Sequence, residues 1–398
     1  MTEQNRRPLT QLFDAAFFAD PYPTYARLRQ ESPVHRVRFP DGSLAWLVLR
    51  ETDVRDGLTD PRLSVNKTYS TTGYKGFELP PALDANLVNL DQEDHLRLRR
   101  LVSKAFTPKR VDMLRHHVQS TVDHLADGLV NRADSDLVSD FAVLLPIGII
   151  GDLFAVPETD RLRFATWVSS MFAPEYPGQM GEAVDSIHHF LLDLVADRRR
   201  HPGDDLLSGL IAARDAGDKL SEDELVSLAF NILLAGTENT PHVISTGLLT
   251  LLQHPDQLTA LRENPALWPE AVEELLRFAH PNLMAIRRFP TEDIEINGVP
   301  IPKGETVMLC LASAHRDPAR YPVADQFNIR REDKTHLALG HGLHYCLGAS
   351  LARMEIQISL STLLTRFPSL NLSVPQEQLQ WRASFRSHAL KALPIATR

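Results

Sequence analysis

Apolar residues recur at three-to-four spacing along most of this 398-residue chain. Segments 22–31, 93–106, 109–131, 161–172, 181–200 and 205–216 carry this period, and each predicts a helix. Ser221 stands three residues before Glu224, a capping-box pattern that opens a long apolar run. That run predicts a helix to about His254, roughly 50 Å at 1.5 Å per residue. A further strongly apolar helical run covers 351–367. Strand signals are sparse. Residues 35–39 and 45–49 flank Asp41-Gly42 and predict a hairpin. Residues 293–297 and 306–311 predict more strand of the same sheet. Helices run throughout, while strands collect near the start and in the last third. The expected fold class is therefore mainly α, an α+β arrangement in one large domain over 1–398. No internal repeat, low-complexity tract or linker interrupts it, and Pro80-Pro81 and 174–177 read as surface loops.

Composition narrows the function classes. The chain is 43% hydrophobic and 23% charged, with a net charge of −9. That is an ordinary globular composition, and the acidic balance argues against nucleic-acid binding. The first residues, MTEQNRRPLTQLFD, lack the apolar core of a signal peptide, and no run of about 18 apolar residues occurs. No membrane anchoring is expected. Two cysteines, Cys310 and Cys346, do not make a disulfide framework. A reducing compartment, the cytoplasm, fits best.

The candidate chemistry centres on the segment 336–350, HLALGHGLHYCLGAS. Cys346 lies in a turn made by Gly340 and Gly342, is followed by Gly348, and precedes a helix. Partly positive N–H groups at a helix start lower a thiol pKa and favour the thiolate. A thiolate is a soft metal ligand, and bare glycines let a flat macrocycle lie against the backbone. The other reading of Cys346 is a small buried residue that only packs.

The spacing G-x-G-x-H-x-C-x-G resembles the haem-binding loop of the cytochrome P-450 family, the haem-thiolate monooxygenases. The resemblance extends from about Pro21 to Pro394. It implies a soluble bacterial-type member with haem b (iron protoporphyrin IX) between the long central helix and the loop carrying Cys346, the metal ligand. O₂ is the implied co-substrate, and a thiolate ligand favours O–O cleavage. On the long helix, Ala235, Gly236, Thr237, Glu238, Asn239 and Thr240 are similar to the family's oxygen-binding segment. Ala235 and Gly236 let the cofactor approach the backbone. Glu238 matches the acid that helps deliver protons, and with Asn239 and Thr240 it forms the expected catalytic group. Asn239 departs from the pattern, because the family usually has threonine there. An amide can donate a hydrogen bond but is not a hydroxyl relay. Thr240, about 100° further round the helix, is expected to point away. Pro241 removes the N–H that would bond the Thr237 carbonyl and is expected to loosen the helix. Neutral change at a bend is the other account of Asn239 and Pro241.

The family's supporting residues also have counterparts. Glu274 and Arg277 match the buried E-x-x-R pair, with Arg331 as the later arginine and Arg330 as its fallback. His95, Arg99, Arg288 and His344 match contacts to the haem propionates, and Gly340 and Gly348 complete the cofactor loop. Arg287 is expected on the surface. Leu339 replaces a near-constant phenylalanine. Arg97, Arg99, Arg100, Lys104, Lys109 and Arg110 form a basic patch suited to an acidic ferredoxin.

The substrate lining is expected from 69–87, 171–180, 231–237, 281–286 and 384–386, with hydroxyls at Ser70, Thr71 and Thr72. It implies an organic molecule of moderate size. The resulting expectation is a monomeric monooxygenase that tailors secondary metabolites, such as antibiotics, by hydroxylation or epoxidation. Electrons come from NAD(P)H through ferredoxin reductase and ferredoxin. Alternatives are coupling, desaturation or peroxide-driven oxidation, and a haem-binding sensor without turnover.

Overall fold

The computed structural model describes all residues except 1–8, 11, 74, 75, 78, 131–134, 217–219 and 398. Its centre is the helix Glu222–Gln253, buried over most of its length and apolar on nearly every side. A helix without a polar face needs neighbours all round. Leu144–Leu153, Glu158–Phe172, Gln179–Arg200, Trp268–Phe278 and Ala349–Arg366 supply them. The N-terminus is capped as the sequence predicts. Ser221 Oγ accepts from the Glu224 N–H at 3.1 Å, and a Glu224 carboxylate oxygen accepts from the Ser221 N–H at 2.8 Å. Pro241 lies inside the helix, which continues as α-helix on both sides. The expected loosening there does not amount to a break. The Thr237 hydroxyl turns back to the Leu233 carbonyl at 2.8 Å.

The predicted hairpin forms from Val34–Arg38 and Leu44–Val48, antiparallel with Val34 opposite Val48. Gly42 takes a φ of +83°, a conformation that glycine adopts without steric cost. Val307–Leu309 adds in parallel to Leu44–Val48, which makes the latter a central strand and accounts for its near-continuous burial. Ile294–Ile296 departs from expectation. It pairs with Val299–Ile301 in a separate two-stranded unit, because Asn297 and Gly298, both at positive φ, fold the chain straight back.

Most helices fall where the period places them: Tyr22–Glu31, Gln92–Ser103, Gln179–Arg200 and Leu206–Asp215. The run over 109–131 is broken at Leu114 into Pro108–Met113 and Arg115–Leu129; Asn131 lies outside the described residues. Glu51–Thr59 was not anticipated. Its Gly57 weakens a helical pattern, yet a Cβ there would meet Leu309 Cδ2 at 2.8 Å, so close packing explains it. The core comprises one large cluster around the long helix and two smaller ones on either side of the hairpin sheet. No single helix among the described residues is long and apolar enough to cross a membrane.

Candidate active site

A cavity lies between the long helix and the cysteine loop. The loop is built by backbone geometry. Gly340 and Gly342 take φ of +76° and +69°, and a Cβ on Gly342 would meet Thr59 Cγ2 at 2.7 Å. The Cys346 N–H donates to the Leu339 carbonyl at 2.7 Å, which closes the turn before helix Ala349–Arg366. A Cβ on Gly348 would meet nothing within 4 Å, so this side of the loop is open.

The frame behind the loop is a buried charge cluster. Arg277 Nε and Nη2 donate to Glu274 at 2.8 and 2.7 Å, and Arg331 Nε donates to the same carboxylate at 3.2 Å. Arg277 Nη1 also donates to the His315 and Ala324 carbonyls at 2.7 and 2.9 Å, and Arg331 to Pro322 and Gln326 at 2.9 Å. Glu274 accepts the Asn328 N–H at 2.9 Å as well. Arg331, not the exposed Arg330, occupies this place. Breaking one partner of such a pair leaves a buried charge uncompensated.

Eleven of the twelve predicted catalytic and cofactor residues line the cavity: His95, Arg99, Ala235, Gly236, Asn239, Thr240, Arg288, Gly340, His344, Cys346 and Gly348. Glu238 does not. Its carboxylate faces the other way, held by Arg382 Nη1 and His242 Nε2, each at 3.3 Å. Thr240 was expected to point away, yet it lines the cavity beside Asn239, because the cavity wraps more than one stripe of the helix. Gly236 serves a different neighbour as well. A Cβ there would meet Ile150 Cγ1 at 2.7 Å, so the glycine admits a side chain of helix Leu144–Leu153.

The rim is strongly cationic. Arg99 donates to the Tyr345 carbonyl at 2.6 Å and the Leu343 carbonyl at 3.3 Å. Arg288 is buried, and burial lowers its pKa to about 10. Among the described residues its side chain donates only to the Ile286 carbonyl, at 3.4 Å. Among the described residues neither arginine has a carboxylate partner within ion-pair distance. His95 is 1% exposed, yet both its ring nitrogens lack a hydrogen-bond partner. Its ring centroid lies 4.5 Å from that of His344. Burial, then the neighbouring arginines, lowers the pKa of His95 to about 4 and of His344 to about 3, so both are neutral. A buried cation and a half-buried one without anions, beside a buried imidazole without partners, are costly arrangements. They fit a flat cofactor bearing two carboxylates, for which Cys346 would supply a metal ligand.

The Cys346 thiol pKa is raised by burial, despite a Gly348 N–H and the Arg99 and Arg353 charges that pull it down. The expected lowering by the helix start is therefore outweighed in the protein alone. A bound metal ion would take the place of the thiol proton.

Several lining expectations are corrected. Among the described residues, 171–180 and 384–386 do not line this cavity. They meet one another instead: Ser384 Oγ donates to the Phe172 carbonyl at 2.9 Å, and the Phe172 and Phe77 rings lie 5.4 Å apart. The Thr71 N–H donates to the Gly304 carbonyl at 2.9 Å, and Thr72 Oγ1 lies 3.4 Å from Thr306 Oγ1, so this segment docks at the sheet edge. Arg287 is half-buried and donates to Asn89 Oδ1 at 2.7 Å. In the basic patch Arg97 pairs with Glu224 and Arg99 turns to the cysteine loop, which leaves Arg100, Lys104, Lys109 and Arg110 exposed.

Sequence reasoning missed Glu355. This carboxyl lines the cavity at 2% exposure, and its Oε1 has no partner. Burial raises its pKa to about 8, with a Thr240 hydrogen bond acting in the opposite direction. It reads as one more position in an apolar helix, and only its charge gave a signal. His280 was missed as well, whereas Asn282, Met284, Ala285 and Ile286 line the cavity within the predicted 281–286. Arg382, the partner of Glu238, comes from 144 residues away.

A helix-rich fold with a cysteine loop facing a buried cationic cradle defines a haem-thiolate enzyme. Comparison with known proteins agrees. The cytochrome P-450 family profile matches residues 145–390. The chain is 44% identical over 385 residues to the cytochrome P-450 monooxygenase PikC of Streptomyces venezuelae, covering 96% of this chain and 92% of that one. It is 39% identical over 392 residues to 6-deoxyerythronolide B hydroxylase of Saccharopolyspora erythraea, covering 96% of each. The tirandamycin C-bound monooxygenase TamI superposes with a TM-score of 0.93 at 38% identity, over 98% of this chain and 100% of that one. The chain belongs to the cytochrome P-450 family. It is a monooxygenase that uses a haem iron cofactor, O₂, an organic substrate and redox partners.

Proposed function

We propose that this enzyme binds haem b through the Cys346 thiolate and inserts one oxygen atom into a small secondary metabolite, by hydroxylation or epoxidation. It does so as a monomeric, single-domain, cytoplasmic protein. The observation that carries the reading is the convergence of Cys346 with Arg99, Arg288, His95 and His344 on one cavity. Arg99 and Arg288 hold the two cofactor carboxylates, and arginine suits them because its charge is permanent and its fork bidentate. His95 and His344, neutral, hydrogen-bond the same groups. The bound haem supplies activation of O₂ and transfer of one of its atoms.

The chain's own residues handle substrate and protons. Asn239 offers a hydrogen-bond donor to the reaction space. Its amide is a poor proton relay, so the hydroxyl function passes to Thr240, one position on. Thr240 is backed by Glu355, whose raised pKa keeps a proton available near neutral pH. Glu238, ion-paired to Arg382, ties the middle of the long helix to the segment that carries Arg382. Exposed Arg100, Lys104, Lys109 and Arg110 form the surface on which an acidic ferredoxin docks, itself reduced by ferredoxin reductase from NAD(P)H.

The same relatives support the substrate class: PikC, 6-deoxyerythronolide B hydroxylase, and the mycinamicin IV hydroxylase/epoxidase of Micromonospora griseorubida at 38% identity. The presence of Asn239 in the cavity also leaves room for oxidation without net oxygen insertion, such as coupling or desaturation. Product mass separates the readings. Reconstitution with ferredoxin, its reductase and NAD(P)H is expected to give a product one oxygen heavier. Loss of two hydrogens would favour the second reading, and no substrate-dependent NAD(P)H consumption would contradict both.

A further inference from the structure

The long helix presents the cavity with a stripe that is polar at both ends and bare in the middle. Asn231, Ala235 and Asn239 are spaced four residues apart and so share one face. The two asparagines are eight positions apart, about 12 Å along the axis. Between them Ala235 and Gly236 present no more than a methyl group. Asn231 is 9% exposed. Neither amide makes a side-chain hydrogen bond to another described residue; Asn231 is buried, Asn239 is half-buried, and both face the cavity. An amide that faces a cavity without a protein partner takes its hydrogen bonds from water or from a ligand.

Among the other lining residues Leu87, Val88, Met284 and Ile286 are apolar, and Asn282 adds one more amide. The charged side chains on the described lining are accounted for elsewhere. Arg99 and Arg288 belong to the carboxylate cradle, and Glu355 faces Thr240. An amide both donates and accepts, so it matches hydroxyl and carbonyl groups. It offers no counter-charge, so an ionic group entering here loses water without gaining a partner.

We infer that the substrate is a neutral, multiply oxygenated molecule. It presents hydroxyl or carbonyl groups at two points about 12 Å apart to Asn231 and Asn239. The hydrocarbon stretch between them passes beside Ala235 and Gly236, where the cofactor approaches the helix and oxidation occurs. This rests on the monooxygenase reading above and narrows it: free acids and free amines are poor ligands.

The test uses haem-loaded protein and four straight-chain probes of matched length. These are an α,ω-diol with oxygens about 12 Å apart, the ω-hydroxy acid, the ω-amino alcohol and the simple alkanol. Binding is read from the movement of the haem Soret band and, independently, by calorimetry. The diol is expected to bind about tenfold or more tighter than each of the other three. Asn231→Leu should weaken the diol about tenfold, to the level of the alkanol, while the alkanol is unchanged; this is the size of one lost hydrogen bond. Asn231→Asp, which keeps the shape, should instead shift preference toward the amino alcohol. Equal affinities for diol, acid and amine, or a diol affinity unmoved in both variants, would overturn the inference. The ferrous–carbon monoxide spectrum separates the two failures. A thiolate-type band alongside equal affinities sinks the substrate class alone. Absence of that band sinks the monooxygenase reading and this inference with it.

Discussion

Replacing Glu355 by glutamine tests how the fold treats a buried acid beside the reaction space. Burial raises this carboxyl from an ordinary pKa of 4.5 to about 8, with only Thr240 to oppose the shift. At pH 7 the folded protein therefore keeps the proton, whereas the unfolded chain has lost it. A raised carboxyl pKa makes its contribution most favourable below pH 4.5, and stability is then lost as pH rises toward 8. Between pH 4.5 and 7 the loss is 2.5 units at 1.36 kcal/mol each, on the order of 3 kcal/mol. Glutamine fills nearly the same volume, keeps a donor for the site and cannot ionise. The variant should therefore be more stable than the parent at pH 7 by on the order of 3 kcal/mol, and by under about 1 kcal/mol at pH 5. Denaturant unfolding of both proteins at the two pH values reads the difference, in which other titrating groups cancel. Infrared spectra give a direct check: a protonated carboxyl band present at pH 6, titrating out near pH 8 and missing from Glu355→Gln. Identical pH dependence in the two proteins would show that Glu355 is ionised in the fold and would refute the reasoning.

Other outcomes follow from the same geometry. Glu274→Ala leaves Arg277 and Arg331 buried without an anion and should cost about 3–5 kcal/mol, read as haem-free or insoluble protein; a stable, haem-loaded variant would show the cluster to be superficial. Asn239→Ala should raise the share of electrons lost as hydrogen peroxide, while Asn239→Thr is tolerated, measured as NAD(P)H consumed per product with peroxide assayed in parallel. Arg288→Leu removes a buried cation from the cradle and should weaken haem retention at least tenfold, measured by transfer of haem to an acceptor protein; unchanged retention would place the cofactor carboxylates elsewhere.

Much of the fold was legible because local signals were strong. The capping box at Ser221 and Glu224 marked the start of the long helix, and Asp41-Gly42 marked the hairpin. The glycine spacing around Cys346 marked the loop, since few other backbones turn so tightly. What stayed hidden depended on tertiary neighbours. The glycine in Glu51–Thr59 looks like a breaker until Leu309 is packed against it. The strand Ile294–Ile296 has the right composition for the hairpin sheet but folds back on its own neighbour. Glu238 matched a motif, yet its direction was set by Arg382, far away in sequence. Thr240 was placed by helical angle alone, which fails where a cavity spans more than one stripe. Glu355 is a single acid in an apolar helix, and nothing local says which side of that helix the cavity occupies.

The account's central claim is that Cys346 is the haem ligand. The carbon monoxide difference spectrum of the reduced protein tests it most directly. Wild type and Cys310→Ala should both show the red-shifted band of thiolate ligation, because Cys310 is buried beside Tyr25 in another cluster, with its thiol pushed up to about 12 by burial. Cys346→Ala should lose the band. A band that survives in Cys346→Ala and disappears in Cys310→Ala would contradict the assignment and the site built on it.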